Sequence, residues 1–200
     1  MIYLIRHGQT ELNREGRVQG ASGDAPLTPL GEAQAKAVGK ALAAIMAREG
    51  GDWRITCSPM GRTRRTSAII ADAMGLSPPA EADARLIEIN YGALEGMLRE
   101  EIDARWPHLA GVRGIFIDAP EGEPLTVAQA RAAAWLADAH AGGGHVVAVA
   151  HAGIGRVIRA LYAGQGEAEL RLMDTPQDAF HRLHEGRVAR IDCAPLALPG

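Results

Sequence analysis

The stretch Leu4-Ile5-Arg6-His7-Gly8-Gln9-Thr10-Glu11-Leu12-Asn13 decides how this chain reads. An apolar run, Ile2 to Ile5, passes directly into a cation, an imidazole and a glycine. A short, continuously apolar segment bounded by glycine suits a strand buried on both faces. The pattern recurs where Val146-Val147-Ala148-Val149-Ala150 runs into His151-Ala152-Gly153. In open α/β sheets ligands sit beyond the carboxyl ends of the strands, so both histidines are expected to face one crevice.

Between these strands the pattern alternates. Thr28-Pro29 pairs an N-cap with a proline at the first helical position, and Ala35, Val38, Leu42 and Ile45 follow at helical spacing to about Ala47. Gly50-Gly51 stops that helix, and Arg54–Cys57 reads as a strand. Ser58-Pro59 repeats the cap signal for a helix to about Met74, and Pro78-Pro79 marks a loop. Residues 95–106 read as helical, and a Gly/Pro-rich loop runs from Gly111 to Pro124. Thr126-x-x-Gln129 has capping-box form for a helix reaching about His140. A helix with Ile154, Val157, Ile158, Leu161 and Tyr162 on one face follows His151. Ala179–His184 and Arg187–Cys193, joined by Glu185-Gly186, read as a closing hairpin. The expectation is a single domain over 1–200, a three-layer α/β/α sandwich with a mostly parallel central sheet. A small cap segment is expected around 97–124.

Bulk properties agree. Hydrophobic residues form 47% of the 200-residue chain, enough for a sizeable core, and aromatics only 4%, so Ala, Val, Ile and Leu must build it. A formal charge of −3 argues against a nucleic-acid partner, which wants a basic surface. Two cysteines without metal-ligand or CxxC spacing point to a reducing cytoplasm. Arg6 arrives too early for a signal-peptide core, and no apolar run has the ~18 residues of a membrane span. No membrane partner is expected.

Arg62 falls in the first turn of the helix after Cys57, at its positively polarised end. Arg6, Arg62 and the two histidines would together make a pocket for a phosphate dianion, since arginine offers forked donors to phosphate oxygens. A histidine among cations is held neutral, and neutral imidazole is a nucleophile. A proton donor for the leaving alkoxide is then still required.

Arg6-His7-Gly8-Gln9-Thr10, with Asn13 and Gly16-Arg17-Val18-Gln19-Gly20, resembles the histidine phosphatase superfamily, the phosphoglycerate-mutase-like proteins. Asp24-x-Pro26-Leu27-Thr28-x-x-Gly31 continues the resemblance, as do Ser58-Pro59-Met60-Gly61-Arg62, Leu86-Ile87-Glu88-Ile89-Asn90-Tyr91-Gly92 and Val149-Ala150-His151-Ala152-Gly153. The resemblance implies His7 as the phosphorylated nucleophile. It implies Arg6, Arg62 and His151 as ligands of the transferring phosphoryl group, with His151 protonated. Glu88 would protonate the leaving oxygen and then activate water. Asn13, Gln19, Gly20 and the backbone N–H of Gly153 match positions bordering the phosphate. Neither a metal nor another cofactor is implied, and the partner would be a small phosphorylated metabolite.

Arg65, Ala152, Leu94 and Pro124 depart from the family's commoner residues and are expected around the pocket rim. The core resembled serves phosphatases and phosphoglycerate mutases alike. Mutases resembling it carry a long basic insertion after the third motif, whereas Met97 to Glu121 is short and of mixed charge, which favours hydrolysis. Trp106, His108, Arg113 and Phe116 stand where they could close over a leaving group, or simply pack beneath a loop. Other readings are weaker. Gly153-x-Gly155 lacks the third glycine of a dinucleotide fingerprint, because position 158 is Ile158. His145 and His151 would lie at opposite ends of one strand, which disfavours a metal site. A non-catalytic binding protein on the same fold stays open, since a fold does not guarantee activity.

Overall fold

The computed structural model describes residues 1–77 and 80–193; the Pro78-Pro79 loop lies outside the described residues. Strands β1 (Ile2–Arg6), β2 (Trp53–Cys57), β3 (Glu81–Ala82), β4 (His145–Ala150), β5 (Ala179–His184) and β6 (Arg187–Asp192) form a six-stranded sheet of these residues, ordered β3-β2-β4-β1-β5-β6. The four strands β3, β2, β4 and β1 run parallel, while β5 and β6 pair antiparallel at one edge. Register sets Arg6 of β1 opposite Ala150 of β4, so the next residue on each strand is a histidine.

The helices are α1 (Glu11–Arg14), α2 (Pro29–Glu49), α3 (Gly61–Met74), α4 (Arg99–Arg105), α5 (Leu125–Ala141), α6 (Ala152–Ala163) and α7 (Glu167–Leu172). Alternate residues of the central strands feed two cores. Tyr3, Ile5, Val147 and Val149 pack with Val38, Leu42, Ile45 and Ile70 of α2 and α3. Ile2, Leu4, Val146, Ala148 and Ala150 pack with Ala132 and Trp135 of α5 and Ile154, Val157 and Ile158 of α6. Burial on both faces is why these strands are apolar throughout rather than alternating.

Local signals hold where the cap is local. Thr28 accepts a hydrogen bond from the Gly31 N–H at 3.0 Å and Pro29 opens α2. Glu185 and Gly186 both have positive φ, 49° and 72°, as a two-residue hairpin turn of the I′ kind requires. Elsewhere tertiary contacts replace the expected caps. The N-cap of α3 is Met60, not Ser58, and the Gly61 and Arg62 N–H groups donate to the distant carboxylate of Asp24. Helix α5 starts at Leu125, which places Thr126 inside the first turn, and no side chain caps it. The helix expected over 95–106 begins only at Arg99, because Glu95 turns aside to accept from the backbone of Ala21, Ser22 and Tyr91. Leu161, expected on the buried face of α6, is 36% exposed. Among the described residues no helix is long and apolar enough to cross a membrane.

The loop after β1 lies directly on the start of α2. A Cβ on Gly8 would sit 2.2 Å from the Gly31 carbonyl oxygen, and one on Gly31 would sit 2.1 Å from that of Gln9. Only glycine at both places lets the two backbones meet, and that contact sets the position of His7.

Candidate active site

His7 and His151 leave adjacent parallel strands side by side, 3% and 2% exposed, with ring centroids 5.2 Å apart. The His7 Nδ1 faces the Gly8 carbonyl at 2.8 Å. A carbonyl only accepts, so Nδ1 carries the hydrogen and Nε2 keeps a free lone pair. Burial, then the charges of Arg6 and Arg62, lower the His7 pKa well below its ordinary value, so the ring is neutral.

His151 takes the opposite tautomer. Arg62 Nε–H donates to its Nδ1 at 3.2 Å, and Nε2–H donates to Ser58 Oγ at 2.8 Å. Burial first, then His7, Arg62 and Arg6, lower its pKa well below the usual range. In this arrangement the ring accepts from a guanidinium and is neutral, so the protonated His151 expected from the resemblance requires a bound anion to offset the charge of Arg62.

Arg62 is 1% exposed and spans the base of the site. Its NH1 donates to the Gly23 carbonyl (2.8 Å) and to Asp24 (3.3 Å), and its NH2 to the Gly20 carbonyl (2.9 Å). Arg6 donates through NH1 to the Thr175 carbonyl at 2.8 Å, while its buried Nε has no partner among the described residues. Glu88, 2% exposed, sits at the N-terminus of α6. Its Oε1 accepts from the Ile89 (2.9 Å) and Ile154 (3.0 Å) N–H groups, and its Oε2 accepts from the Gly153 N–H (3.0 Å) and, at 3.4 Å, the Tyr91 hydroxyl.

A cavity of about 420 Å³ opens above this cluster. Arg6, His7, Asn13, Gln19 and Glu88 line it, together with Ala152, Tyr91, Arg156 and the cap residues Arg99 and Val112 to Phe116. Gln19 accepts from the Thr10 hydroxyl at 2.7 Å, and its buried Nε2 is a second donor without a partner among the described residues. Unpaired buried donors cost about 1–3 kcal/mol each, and both of these belong to side chains that line the cavity. Arg62 and His151 stand behind this wall rather than on it. Gly20 and Gly153 are also set back: a Cβ on Gly20 would meet Glu95 Oε1 at 2.1 Å, and one on Gly153 would meet the Tyr91 hydroxyl at 2.7 Å. Of the departures from the family pattern, Ala152 alone lines the cavity, whereas Leu94 is core and Arg65 pairs with Glu32 on the surface. Arg113 and Phe116 line it, but Trp106 and His108 do not.

Three contributors escaped sequence reading. Arg156 lies one turn beyond Ala152 and so shares its face, a spacing that was available in the sequence. Tyr91 stacks on Phe116 with centroids 6.0 Å apart and meets Glu88. Gln177 donates from Nε2 to the His7 carbonyl and to Asn13 Oδ1, both at 3.1 Å, and no local signal marks it.

A neutral, buried imidazole with a free Nε2, flanked by arginines and facing a carboxyl group, is the centre of a phosphoryl-transfer enzyme. The model of the histidine phosphatase superfamily (branch 1) matches residues 2–187, and the chain belongs to that family. The probable phosphoglycerate mutase GpmB of Klebsiella pneumoniae is 42% identical over 130 residues, covering 62% of this chain and 55% of the relative. The chain thus spans a little over half the length of that curated relative. Bacillus stearothermophilus YhfR superposes with a TM-score of 0.76 at 27% identity, covering 96% of this chain and 95% of that one. A mycobacterial glucosyl-3-phosphoglycerate phosphatase, Rv2419c, in complex with VO3, superposes with a TM-score of 0.75 at 25% identity, covering 96% and 97%.

Proposed function

We propose that this protein is a phosphomonoester hydrolase that works without a metal, through a phosphohistidine at His7, on a small phosphorylated metabolite. The observation that carries the reading is the His7 ring itself, whose Nδ1–H is spent on the Gly8 carbonyl and whose Nε2 is left neutral and nucleophilic. In the first displacement Nε2 forms a bond to phosphorus, the P–O ester bond breaks, and Glu88 hands its proton to the leaving alkoxide. In the second, water attacks phosphorus, Glu88 takes the water's proton, and the P–N bond breaks. Charge on the transferring oxygens is met by Arg6 and Gln19, whose side chains line the cavity, while Arg62 adds its positive charge from behind the wall. Phosphoryl transfer depends mainly on such alignment and electrostatic stabilisation.

Glu88 must gain a proton before it can act as the acid. The longest of its four contacts, 3.4 Å to the Tyr91 hydroxyl on Oε2, is where this happens with least loss. That hydroxyl can turn from donor to acceptor, whereas the three backbone N–H donors cannot. Hydrolysis rather than transfer back to substrate is supported by the short segment 97–124 and by the superposition on the glucosyl-3-phosphoglycerate phosphatase Rv2419c. A mutase-type transfer is the second reading, favoured by the 42% identity to GpmB.

The test is a panel of phosphomonoesters that includes 3-phosphoglycerate, assayed with and without EDTA and against His7→Ala. Chelator-resistant phosphate release that disappears in the variant, with an acid-labile phosphoprotein in the wild type, is the expected result. Isomerised phosphoglycerate without phosphate release would select the mutase reading, and full activity in folded His7→Ala would refute both.

A further inference from the structure

Residues 173–178, which join α7 to β5, contain neither helix nor strand. Such a segment has no backbone ladder to hold it, so its position depends on side chains that reach it. Three arginines do so. Arg156 and Arg159 lie one turn apart on α6 and share a face. Arg156 donates through Nε to the Met173 carbonyl at 2.9 Å. Arg159, only 5% exposed, donates through NH1 to Asp174 Oδ1 at 3.0 Å and through NH2 to the Asp174 backbone carbonyl. From β6, Arg190 donates to Asp174 Oδ2 at 2.6 Å. Asp174 is the only carboxylate paired with Arg159 among the described residues, and a buried guanidinium without a counter-charge is costly. One carboxylate thus ties α6, the hairpin and the segment together.

The segment held in this way reaches the site at two points. The Thr175 carbonyl accepts from Arg6 NH1 at 2.8 Å, and Gln177 Nε2 donates to the His7 carbonyl at 3.1 Å. Pro176 between them has a fixed φ and disfavours a helical Thr175, so few torsions separate the anchor at Asp174 from either contact. Behind Arg6 there is little slack. Arg6, Thr175, Pro176, Arg159 and His181 border a cavity of only about 20 Å³, and His181 Nε2 accepts from Arg159 NH1 at 2.7 Å. In packing this close, a shift of the segment is passed on to Arg6.

We infer that Asp174 is a positioning residue: clamped between Arg159 and Arg190, it fixes the 173–178 segment so that Thr175 aims the Arg6 guanidinium, and Gln177 the His7 backbone, at the transferring phosphoryl group. Asp174 does not line the cavity and acts only through those two residues. The inference rests on the reading of His7 as nucleophile and Arg6 as phosphoryl ligand. Its chemical basis is alignment, since a misplacement of about 1 Å far from the reacting atoms can cost about 100-fold in rate.

The test is a mutant cycle on p-nitrophenyl phosphate, with Tm measured beside kcat/KM. Asp174→Ala should lower kcat/KM by about 10- to 100-fold. In an Arg6→Ala, Gln177→Leu background both ties are already cut, so Asp174→Ala should remove no more than about twofold further, while Tm still falls. A purely structural Asp174 would lower Tm and leave kcat/KM unchanged in the wild-type background, which would overturn the inference. An equal fold-loss in both backgrounds would overturn it too. Should Asp174→Ala fail to fold, Arg190→Ala removes one arm of the clamp at a half-exposed side chain; the expected loss is then about two- to fivefold, vanishing in the doubly cut background, and the same two outcomes overturn it. Failure of the phosphohistidine reading shows separately: the wild type then neither cleaves p-nitrophenyl phosphate nor forms a phosphoprotein. Calorimetric binding of inorganic phosphate decides the positioning role in that case. Binding about tenfold weaker in Asp174→Ala is expected, and equal affinity, or no binding to either protein, would overturn the inference.

Discussion

Glu88→Gln tests the acid and its placement in one variant. The substitution keeps the shape but turns one carboxylate oxygen into an NH2 group, which donates and cannot accept. If the amide nitrogen takes the Oε1 place, the Ile89 and Ile154 N–H groups both lose their acceptor. If it takes the Oε2 place, the Gly153 N–H alone does, and the Tyr91 hydroxyl can still accept from the new amide. The second orientation is the cheaper. It leaves one buried N–H unsatisfied, about 1–3 kcal/mol, and removes charge assistance from the bonds that remain. A total of about 2–4 kcal/mol follows, which for a chain of this size lowers Tm by roughly 4–15 °C. On activity, a general acid contributes about 10²–10⁴-fold when the leaving group needs a proton. p-Nitrophenolate departs without one. The assay is therefore thermal unfolding alongside kcat/KM for an alkyl phosphate and for p-nitrophenyl phosphate. Alkyl phosphate turnover should fall at least about a hundredfold and the aryl ester far less. Equal losses on both esters would refute the general-acid role, and an unchanged Tm would refute the placement of Glu88 against the start of α6.

Acid should destabilise the fold through its buried histidines. His7 and His151 are held neutral well below their ordinary range, by burial first, and burial with Arg159 lowers His181 to about 4. The unfolded chain protonates all three near pH 6.5, so stability is fully present above that pH and is lost as pH falls, by about 1.4 kcal/mol per pH unit for each histidine. A urea midpoint that stays level from pH 7 to pH 5 would contradict this. Gly8→Ala drives a Cβ into the Gly31 carbonyl and should cost about 3 kcal/mol or more, with activity lost as His7 shifts; a fully stable, active variant would show that the two backbones do not meet. Asp24→Ala removes the acceptor at the start of α3 and the carboxylate beside Arg62, for about 1–2 kcal/mol by denaturation and a matching fall in kcat/KM. Gln177→Leu should lower kcat about tenfold with little change in KM, because the amide orients the His7 backbone without reaching the cavity; an altered KM at constant kcat would place it in substrate binding instead.

The sequence alone determined the central strands and the closing hairpin, the meeting of the two strand-end histidines and the starts of the locally capped elements. Two doubly buried strands must be apolar throughout, and their last residues must open on one crevice; Ile2–His7 and Val146–His151 declare this by composition and period. Thr28-Pro29 and Glu185-Gly186 act within a turn of the backbone they control, so their signals are local and were read correctly. Interactions across long stretches of chain left no such trace. Asp24 caps α3 from 37 residues away, Glu95 diverts a predicted helix to hold residues 21 and 22, and Gln177 steadies His7 across 170 residues. The charge state of His151 belongs with these, because it depends on which atom of Arg62 the fold brings to its Nδ1. Which arginines hold Asp174 is settled in the same way: composition counts the cations, but only folding decides which of them find a carboxylate and which face the cavity.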